Sequence, residues 1–454
     1  MILTIFFFFL IPILNGSLIA HLLWPERKGS ALLLKFSLGI GMGLGINSIL
    51  YFLALNIAPK QINVLAVEVV LFVTLGIIAF LRERNQKWER RRFLSLSRIQ
   101  WGLIIVGLIA SAMLVLIFVD QSIAQPQAGI DAWSIWNRAA RFISRDPENW
   151  RATLSPDLYW HDHADYPLLV PLNVAWGWQM IGSENVRVPM MVGAFFVLAS
   201  IGMMFATVAL TRTIGQASLA TLVLMGTPLF VWAGAGQVAD VPVMYFIFAS
   251  SALMFLALTQ QNSAFLILSG FMAGLAGWTK NEGLLLIVAC VVALIVVNLK
   301  ELFRSLKFFL AGLAIPLTMI LYFKSIAPPS DLFTGSSALV QILDISRYWM
   351  IFGALGRQLL TFGYWPFSIF IGLAFYALLM QIHWETYFDK GLQALASTIL
   401  LQSLGYFLIF LLTPHELIWQ LNTSLYRLIL QLYPSELFLF FSVVSEPEKV
   451  FKPT

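Results

Sequence analysis

Residues 128–172 read AGIDAWSIWNRAARFISRDPENWRATLSPDLYWHDHADYPLLVPL, and they form the longest polar segment of the chain. On both sides of it apolar runs of about 17–25 residues recur, which is the length that a helix needs to cross a bilayer core of ~30 Å. Only 11% of the 454 residues are charged and 59% are hydrophobic, whereas about a quarter of a soluble domain is charged. The sequence therefore predicts an all-α polytopic membrane protein.

The apolar runs predict about thirteen transmembrane helices. The first, Met1–Leu23, is longer than a signal peptide and has no basic start, so we expect it to be retained. The single cysteine, Cys290, excludes an intrachain disulfide and a cysteine-based zinc site. The predicted spans lie near residues 2–23, 31–53, 63–81, 101–120, 187–210, 216–234, 241–259, 264–279, 283–298, 306–325, 361–381, 392–412 and 424–444.

The distribution of Lys and Arg predicts the orientation of the chain. Residues 82–100, RERNQKWERRRFLSLSRIQ, form by far the most basic loop and belong in the cytoplasm. Alternating spans then place loop 121–186 outside, together with Asp240 and the loops 327–360 and 413–424. We expect three segments in a cell (inner or plasma) membrane: N-terminal helices and the basic linker (1–100), a central module that includes the outer loop 121–186 (101–300), and C-terminal helices (301–454).

Two weakly apolar stretches outside the spans are rich in aromatic residues. Tyr166–Met180 also contains prolines, and residues 345–358 read ISRYWMIFGALGRQ. Such composition is typical of helices that lie at the membrane surface. The sequence therefore predicts interfacial helices in both outer loops.

Within the large outer loop, Asp131 and the run WHDHADYP (160–167) carry chemistry. The Asp131 carboxylate suits proton abstraction or metal binding, and a solvated loop acid is an equal alternative. The side chains of His161, His163 and Asp165 suit metal ligation if they face one way, although one short cluster favours a structural role or no metal. A divalent metal therefore stays an open alternative, and no cofactor is certain.

Three further charges interrupt apolar sequence. Asp240, in AGAGQVADVPVMYF, is a functional acid, a helix N-cap or both, since the two roles are compatible. Lys280 and Glu282, in GLAGWTKNEGLLLI, either face a polar cavity within one long span or form a turn between two short ones, and we favour the turn. Arg427, in NTSLYRLILQLYP, suits contact with a phosphate or is an arginine that snorkels to the membrane surface.

Four of these patterns occur in an order that resembles the GT-C superfamily of integral-membrane glycosyltransferases. The similarity is to the branch of the protein O-mannosyltransferases and the aminoarabinose transferases of lipid A. The patterns are GIDAWSIWNRAARFI, DYPLLVPLNVAWGW, GAGQVADVPVMYF and GLAGWTKNEGLLLI, which together cover roughly residues 100–300. In those relatives the first acid follows the first span; here it follows about the fourth, so the first three spans would be an N-terminal addition.

The resemblance implies transfer of a sugar from a polyprenyl-phosphate or dolichyl-phosphate donor on the extracytoplasmic side, with inversion. Asp131 would be the general base or acceptor-binding acid, and Asp240 the second catalytic acid. Lys280 and Arg427 would contact the donor phosphate. The remaining candidates for substrate binding are Glu282, His163, Asp165 and Tyr166.

The partners expected are a lipid-linked sugar donor, membrane lipids and an acceptor that is a lipid, a glycan or a protein; a nucleic-acid partner is not expected. A transporter or flippase is the main alternative, and it predicts charges near the membrane midplane and pseudo-symmetric halves. A structural subunit of a membrane complex is a third class, and it predicts no concentrated polar pocket.

Overall fold

A computed structural model of the protein describes residues 2–27, 29–84, 98–155, 157–158, 163–330, 338–382 and 389–446. All regular elements of these residues are helices, apart from one isolated bridge between Ile382 and Val444. The predicted class, an all-α polytopic membrane protein, is confirmed. His161 and most of the basic linker lie outside the described residues.

Fewer helices than predicted meet the requirements for a membrane span. Among the described residues, eight helices are long and apolar enough, and two pairs of consecutive helices raise the number to 10 if each pair is one span. The predicted count of about thirteen is therefore not confirmed. The difference arises partly because Ser263–Thr279 and Glu282–Val297 are short helices, and because polar residues interrupt the last helix, Leu417–Val443.

The chain forms two compact units, and unit 1 comprises Met1–Ala152, Leu169–Gly226 and Ala235–Gln237. A five-residue π-helix, Ala132–Trp136, precedes its fifth α-helix. The predicted division of the chain at residues 100 and 300 stays a prediction. The α-helices of unit 1 are α1 (Ile2–Leu23), α2 (Gly29–Ile57), α3 (Val64–Glu83), α4 (Arg98–Ala124), α5 (Asn137–Arg145), α6 (Leu169–Ile181), α7 (Arg187–Thr211) and α8 (Ile214–Met225).

Helix α2 is the centre of unit 1, and it packs against α1, α6 and α7. A Cβ atom at Gly43 would collide with the backbone of Pro12, so glycine allows α1 and α2 to approach closely. Small residues at such crossings are typical of helices that pack within a bilayer, where van der Waals contact drives association. In contrast, α3 and α4 expose most of their apolar side chains, as expected of helices that face lipid.

Unit 2 comprises Thr153–Leu168, Thr227–Gly234 and Val238–Thr454. Its helices are α9 and all those that follow residue 238. They are α9 (Pro228–Ala235, whose last residue belongs to unit 1), α10 (Asp240–Gln260), α11 (Ser263–Thr279), α12 (Glu282–Val297), α13 (Leu302–Ile326), α14 (Ala338–Leu343), α15 (Ile345–Thr361), α16 (Ile369–Met380), α17 (Lys390–Leu412) and α18 (Leu417–Val443).

Helix α10 is the core of unit 2, because every residue from 240 to 257 is buried. It packs against α11, α12, α17 and α18, while α13 packs on the other side of α11. Since consecutive helices run in opposite directions, the start of α10, the α11–α12 turn, the end of α13 and the α17–α18 turn all lie at the same end of unit 2. This arrangement positions the site described below.

The two segments predicted to lie at the membrane surface differ in their burial. Helix α6 begins at Leu169, three residues later than predicted, and residues 169–178 are all buried within unit 1. A helix with one side in lipid headgroups would leave part of itself exposed, so its burial differs from the prediction. Helix α15 is amphipathic, with Ile351 and Ala354 buried and Trp349 exposed, and its position at the membrane surface stays a prediction.

Candidate active site

Asp240 is the first residue of α10 and is only 1% exposed. Its Oδ1 accepts hydrogen bonds from Lys280 Nζ at 3.1 Å and from Gln431 Nε2 at 3.1 Å. Its Oδ2 lies 2.9 Å from Arg427 Nε and 2.7 Å from Arg427 Nη2. Ala239 occupies the N-cap position, so the interpretation of Asp240 as an N-cap is wrong. The carboxylate instead joins α10 to two cations from distant segments.

Lys280 lies in a turn between two short helices, as predicted. Its backbone is extended, which ends α11 and allows α12 to begin at Glu282. The ammonium group also contacts Glu282 Oε1 at 2.8 Å, and only 6% of the side chain is exposed. Burial by itself lowers the pKa of Lys280, but the carboxylates of Asp240 and Glu282 outweigh it and raise that pKa above its usual value. Lys280 is therefore held as a cation.

Gly283 allows this turn to be tight. A Cβ atom at that position would collide with the backbone of Ala276 in α11. The close approach of the two helices keeps the Lys280 ammonium next to the start of α10. The Lys-Asn-Glu-Gly sequence thus encodes a helical hairpin with a cation at its tip.

A chain of hydrogen bonds extends the site through α17 and α18. Gln402 donates to the backbone oxygen of Glu282 at 3.0 Å and to Tyr406 Oη at 3.1 Å. Tyr406 then donates to Gln431 Oε1 at 2.7 Å, and Gln431 donates to Asp240. Because the side chains of Gln402, Tyr406, Gln431 and Asp240 are buried, these bonds satisfy polar groups that have little access to water. The chain fixes the orientation of the Asp240 carboxylate.

A second polar cluster ties the loop before α6 to the same end of unit 2. Asn281 donates to Asp165 Oδ2 at 2.7 Å, and Lys324 Nζ donates to the Asp165 backbone oxygen at 2.7 Å. Lys324 also donates to Asn281 Oδ1 at 2.7 Å and lies 3.9 Å from Asp165 Oδ2. Asp165 therefore anchors the loop to the hairpin tip and to the end of α13.

Two aromatic rings of this loop lie beside the hairpin. The rings of His163 and Tyr166 stack, with centroids 4.6 Å apart and an interplanar angle of 8°. Lys280 Nζ lies 5.9 Å from the centroid of Tyr166, within the range of a cation–π contact. Burial raises the pKa of Tyr166 above its usual value, so its phenol stays neutral at physiological pH.

The structure thus brings together seven of the eight predicted site residues within unit 2. The cations are partly accessible, since 24% of the Arg427 side chain and 28% of the Lys324 side chain are exposed. A site of this kind combines a fixed cluster of cations with carboxylates that hold them in place. The seven residues are His163, Asp165, Tyr166, Asp240, Lys280, Glu282 and Arg427.

Asp131, the eighth predicted residue, belongs to unit 1. It immediately precedes the π-helix Ala132–Trp136, and its side chain makes no capping hydrogen bond to that helix. Its assignment as general base stays a prediction. Among the described residues no group of three or more His, Cys, Asp or Glu is arranged around a common point that would hold a metal ion; His161 lies outside the described residues.

Sequence reasoning missed five members of the cluster. Lys324 could have been identified from the sequence, because it is a cation at the predicted outer end of a span. The others are uncharged residues within or beside apolar runs, and nothing in their spacing distinguishes them from ordinary helix residues. These are Asn281, Gln402, Tyr406 and Gln431.

Residues 165–323 match a family described as dolichyl-phosphate-mannose-protein mannosyltransferase, which belongs to the GT-C superfamily. Residues 165–323 are about a third of the chain, and this segment is similar to a family of GT-C membrane glycosyltransferases. The predicted resemblance is thereby confirmed. Searches among curated proteins and among solved structures find no match to the chain.

The matched segment contains much of the cluster described above. Asp165, Tyr166, Asp240, Lys280 and Glu282 lie within it. The other predicted site residues, Asp131, His163 and Arg427, lie outside it. Three of the four sequence patterns therefore belong to the matched segment, and the pattern around Asp131 does not.

Proposed function

We propose that this protein is a GT-C glycosyltransferase that transfers a sugar from a polyprenyl-phosphate donor to an acceptor on the extracytoplasmic side of the membrane. The observation that carries the proposal is the arrangement of Lys280 and Arg427 on opposite oxygens of the buried Asp240 carboxylate. The name of the matched family, which includes a dolichyl-phosphate sugar, supports the same class of donor.

The cations supply what a phosphate leaving group needs. As the bond between the anomeric carbon and the phosphate oxygen breaks, negative charge grows on the phosphate, and cations already in position stabilise it without reorganisation. Arg427 is suited to this role because its planar fork of donors matches phosphate oxygens and its side chain is partly exposed. Lys324 adds a third positive charge at the same end of unit 2.

Asp240 acts as a positioning residue in this proposal. A carboxylate that is already bound by two cations is a weak proton acceptor, because protonation would remove the negative charge on which both ion pairs depend. Its role is to hold Lys280 and Arg427 at a fixed separation. The charges at the site are balanced before the donor binds, since three carboxylates face three cations: Asp165, Asp240 and Glu282 against Lys280, Lys324 and Arg427.

Asp131 is the proposed general base. The acceptor hydroxyl or amine attacks the anomeric carbon opposite the phosphate, and its proton passes to the Asp131 carboxylate. The bond to the phosphate breaks, and the polyprenyl phosphate leaves with the electron pair. A bond from the anomeric carbon to the acceptor replaces its bond to the phosphate oxygen, with inversion at that carbon, and no oxidant or reductant is required.

The proposed side of the membrane rests on the distribution of charge. The basic linker 82–100 is expected in the cytoplasm, and alternation of the spans then puts the polar loop, Asp240 and the end of α13 outside. A polyprenyl-phosphate donor suits this side, because its lipid tail holds the reactive phosphate at the membrane surface. Transfer from such a donor requires no nucleotide sugar.

The test is transfer by the purified full-length protein in lipid nanodiscs. A panel of polyprenyl-phosphate sugars, each radiolabelled in the sugar, is incubated with washed membranes as the source of acceptors. We expect label to move from the donor into a lipid, glycan or protein fraction. The Lys280→Gln variant should lose this transfer, whereas the matched Lys300→Gln variant, at an exposed lysine in the turn before α13, should retain it.

Two results would contradict the proposal. One is the absence of cleavage of every lipid-linked donor by folded wild-type protein while nucleotide sugars serve as donors. The other is movement of an intact lipid-linked sugar across a liposome membrane without cleavage, which is the behaviour of a flippase.

A further inference from the structure

Unit 1 contains a cavity of about 510 Å³ that none of the proposed transfer chemistry uses. It lies where the end of α2, the turn into α3, the end of α5 and the end of α6 meet. This volume is typical of pockets that hold small molecules. On the topology predicted from the basic linker, the turn at residues 58–63 and the segment after α5 both face the outside of the cell.

Two residues that line the cavity carry buried polar atoms without partners among the described residues. Tyr51 and Trp176 line it and are 4% and 1% exposed. The Tyr51 hydroxyl and the Trp176 indole nitrogen make no hydrogen bond within the part of the chain that the structure describes. Buried polar groups are normally paired, so these two atoms lack bonds that a molecule held against Tyr51 and Trp176 would supply.

Two amide side chains that line the cavity have no hydrogen-bond partner among the described residues. Gln61 and Gln179 line it, and neither side chain forms a hydrogen bond with another described residue. An amide presents both donors and an acceptor. Sugar hydroxyls also donate and accept, so a sugar offers the kinds of partner that these amides and the tyrosine hydroxyl lack.

The charges at the rim oppose an anionic ligand. Lys60 is paired with Glu148 at 3.1 Å, and Arg145 forms two bonds to Glu184, at 2.5 and 2.9 Å. Each cation of the lining is therefore already neutralised by a carboxylate. A phosphate would have to displace these carboxylates, whereas a neutral ligand leaves both pairs intact.

We propose that this cavity of unit 1 is a carbohydrate-binding site, separate from the residues assigned to transfer, that takes a neutral sugar residue. The ligand would bind through Tyr51, Gln61 and Gln179, between apolar walls formed by residues such as Leu55 and Met180. A site of this kind would allow the enzyme to hold a glycan-bearing molecule at a point other than its reacting atoms.

The test measures binding of sugars without any donor. Full-length protein in phosphatidylcholine nanodiscs is titrated by calorimetry with methyl α-mannoside, methyl β-glucoside and maltose. Detergents with sugar headgroups are avoided because they would compete for the site. We expect saturable binding of at least one of these sugars, and the Tyr51→Phe variant should weaken that binding about tenfold or more, the equivalent of one lost hydrogen bond.

Matched variants separate binding from folding. Tyr51→Phe should keep the melting temperature of the wild type, since the hydroxyl has no partner among the described residues. Gln61→Leu combined with Gln179→Leu should also weaken binding. Tyr364→Phe removes the same hydroxyl from an exposed residue in unit 2, and Gln125→Leu makes the same change at an exposed residue outside the cavity, so both should retain wild-type affinity.

Three results would overturn the proposal: no saturable binding of any of these sugars, sugar binding that the Tyr51 and glutamine variants leave unchanged, or saturable binding of inorganic phosphate that these variants abolish. Because donor and transfer are not involved, any of these results leaves the proposed glycosyl transfer untouched. Conversely, loss of transfer in Lys280→Gln does not bear on the cavity.

Discussion

Asp240 and Lys280 are 40 positions apart in the sequence, yet the Lys280 ammonium lies 3.1 Å from the Asp240 carboxylate. Both side chains are almost completely buried. A single unpaired charge in such an environment raises the free energy of the folded protein, because no partner compensates for its lost hydration. The pair therefore links the start of α10 to the tip of the α11–α12 hairpin, and each charge helps to stabilise the other, together with Arg427 and Glu282.

Asp240→Asn should strongly destabilise the protein. The substitution leaves Lys280 and Arg427 without their shared carboxylate, and breaking a buried ion pair costs about 3–5 kcal/mol. We expect a clear fall in the melting temperature of purified protein, measured by intrinsic fluorescence. Asp157→Asn removes an exposed carboxylate and should leave the melting temperature unchanged. Adding Lys280→Gln to Asp240→Asn should restore part of the loss; equal stability of the single variant and wild type would contradict the prediction.

Arg427→Gln should impair use of the donor more than use of the acceptor. A hydrogen bond to a charged group contributes about 1.5–3 kcal/mol, so we expect kcat/KM for the polyprenyl-phosphate sugar to fall about 10- to 100-fold. Steady-state kinetics with each substrate varied in turn measure the effect. Arg304→Gln, which removes an exposed arginine near the start of α13, is the control. A rise in acceptor KM alone would place Arg427 away from the donor phosphate.

Asp131→Asn should abolish most of the transfer and preserve the fold. A general base contributes about 10²–10⁴-fold to the rate, and the amide keeps the shape of the side chain. The comparison is kcat for wild type, Asp131→Asn and Asp146→Asn, the last being an exposed acid in the loop after α5. Normal transfer by Asp131→Asn would show that another group accepts the proton.

Lys324→Met should loosen the loop that precedes α6. The Lys324 ammonium donates to the Asp165 backbone and to Asn281, and methionine keeps the length of the side chain while removing these bonds. We expect faster amide hydrogen exchange in residues 163–168 than in the wild type, measured by mass spectrometry. Exchange in the middle of α10 is the internal reference and should not change. Unaltered exchange in the loop would mean that Asn281 alone holds it.

Gly283→Ala should disturb the hairpin that carries Lys280. The added Cβ would collide with the backbone of Ala276, which cannot move aside as a flexible side chain would. We expect a lower melting temperature and reduced transfer. Gly353→Ala makes the same change in α15, where nothing lies within 4 Å of the added atom; because alanine favours helix more than glycine, that variant should be at least as stable as the wild type. Equal behaviour of the two variants would argue against close contact of α11 and α12.

Much of the candidate site left a signal in the sequence because charge is rare in apolar surroundings. Asp240, Lys280 and Arg427 were identifiable individually, since each interrupts a run that is otherwise compatible with hydrocarbon. The tight turn at Lys280 was also predictable from the length of the apolar run around it. Gln431 and Tyr406 were not, because uncharged polar residues are tolerated in helices without any function, and only their partners distinguish them.

The predictions that failed depended on how helices pack. The sequence predicted Asp240 as a possible N-cap, but the carboxylate binds side chains of other segments. The count of about thirteen spans is not confirmed, because among the described residues some apolar runs form short or bent helices. The sequence pattern gives the hydropathy and the spacing of residues along the chain. Helix bends and crossings depend instead on contacts between residues far apart in the chain.

The sequence by itself determined that this protein is an all-α membrane protein, because a bilayer admits long apolar runs only as helices whose backbone groups pair internally. Its ordered motifs also pointed to a GT-C glycosyltransferase. Only the tertiary structure decided which charges meet. Asp240 draws Lys280 and Arg427 together because buried charges must be neutralised locally, and their partners are chosen by the packing of α10 with the hairpin and α18.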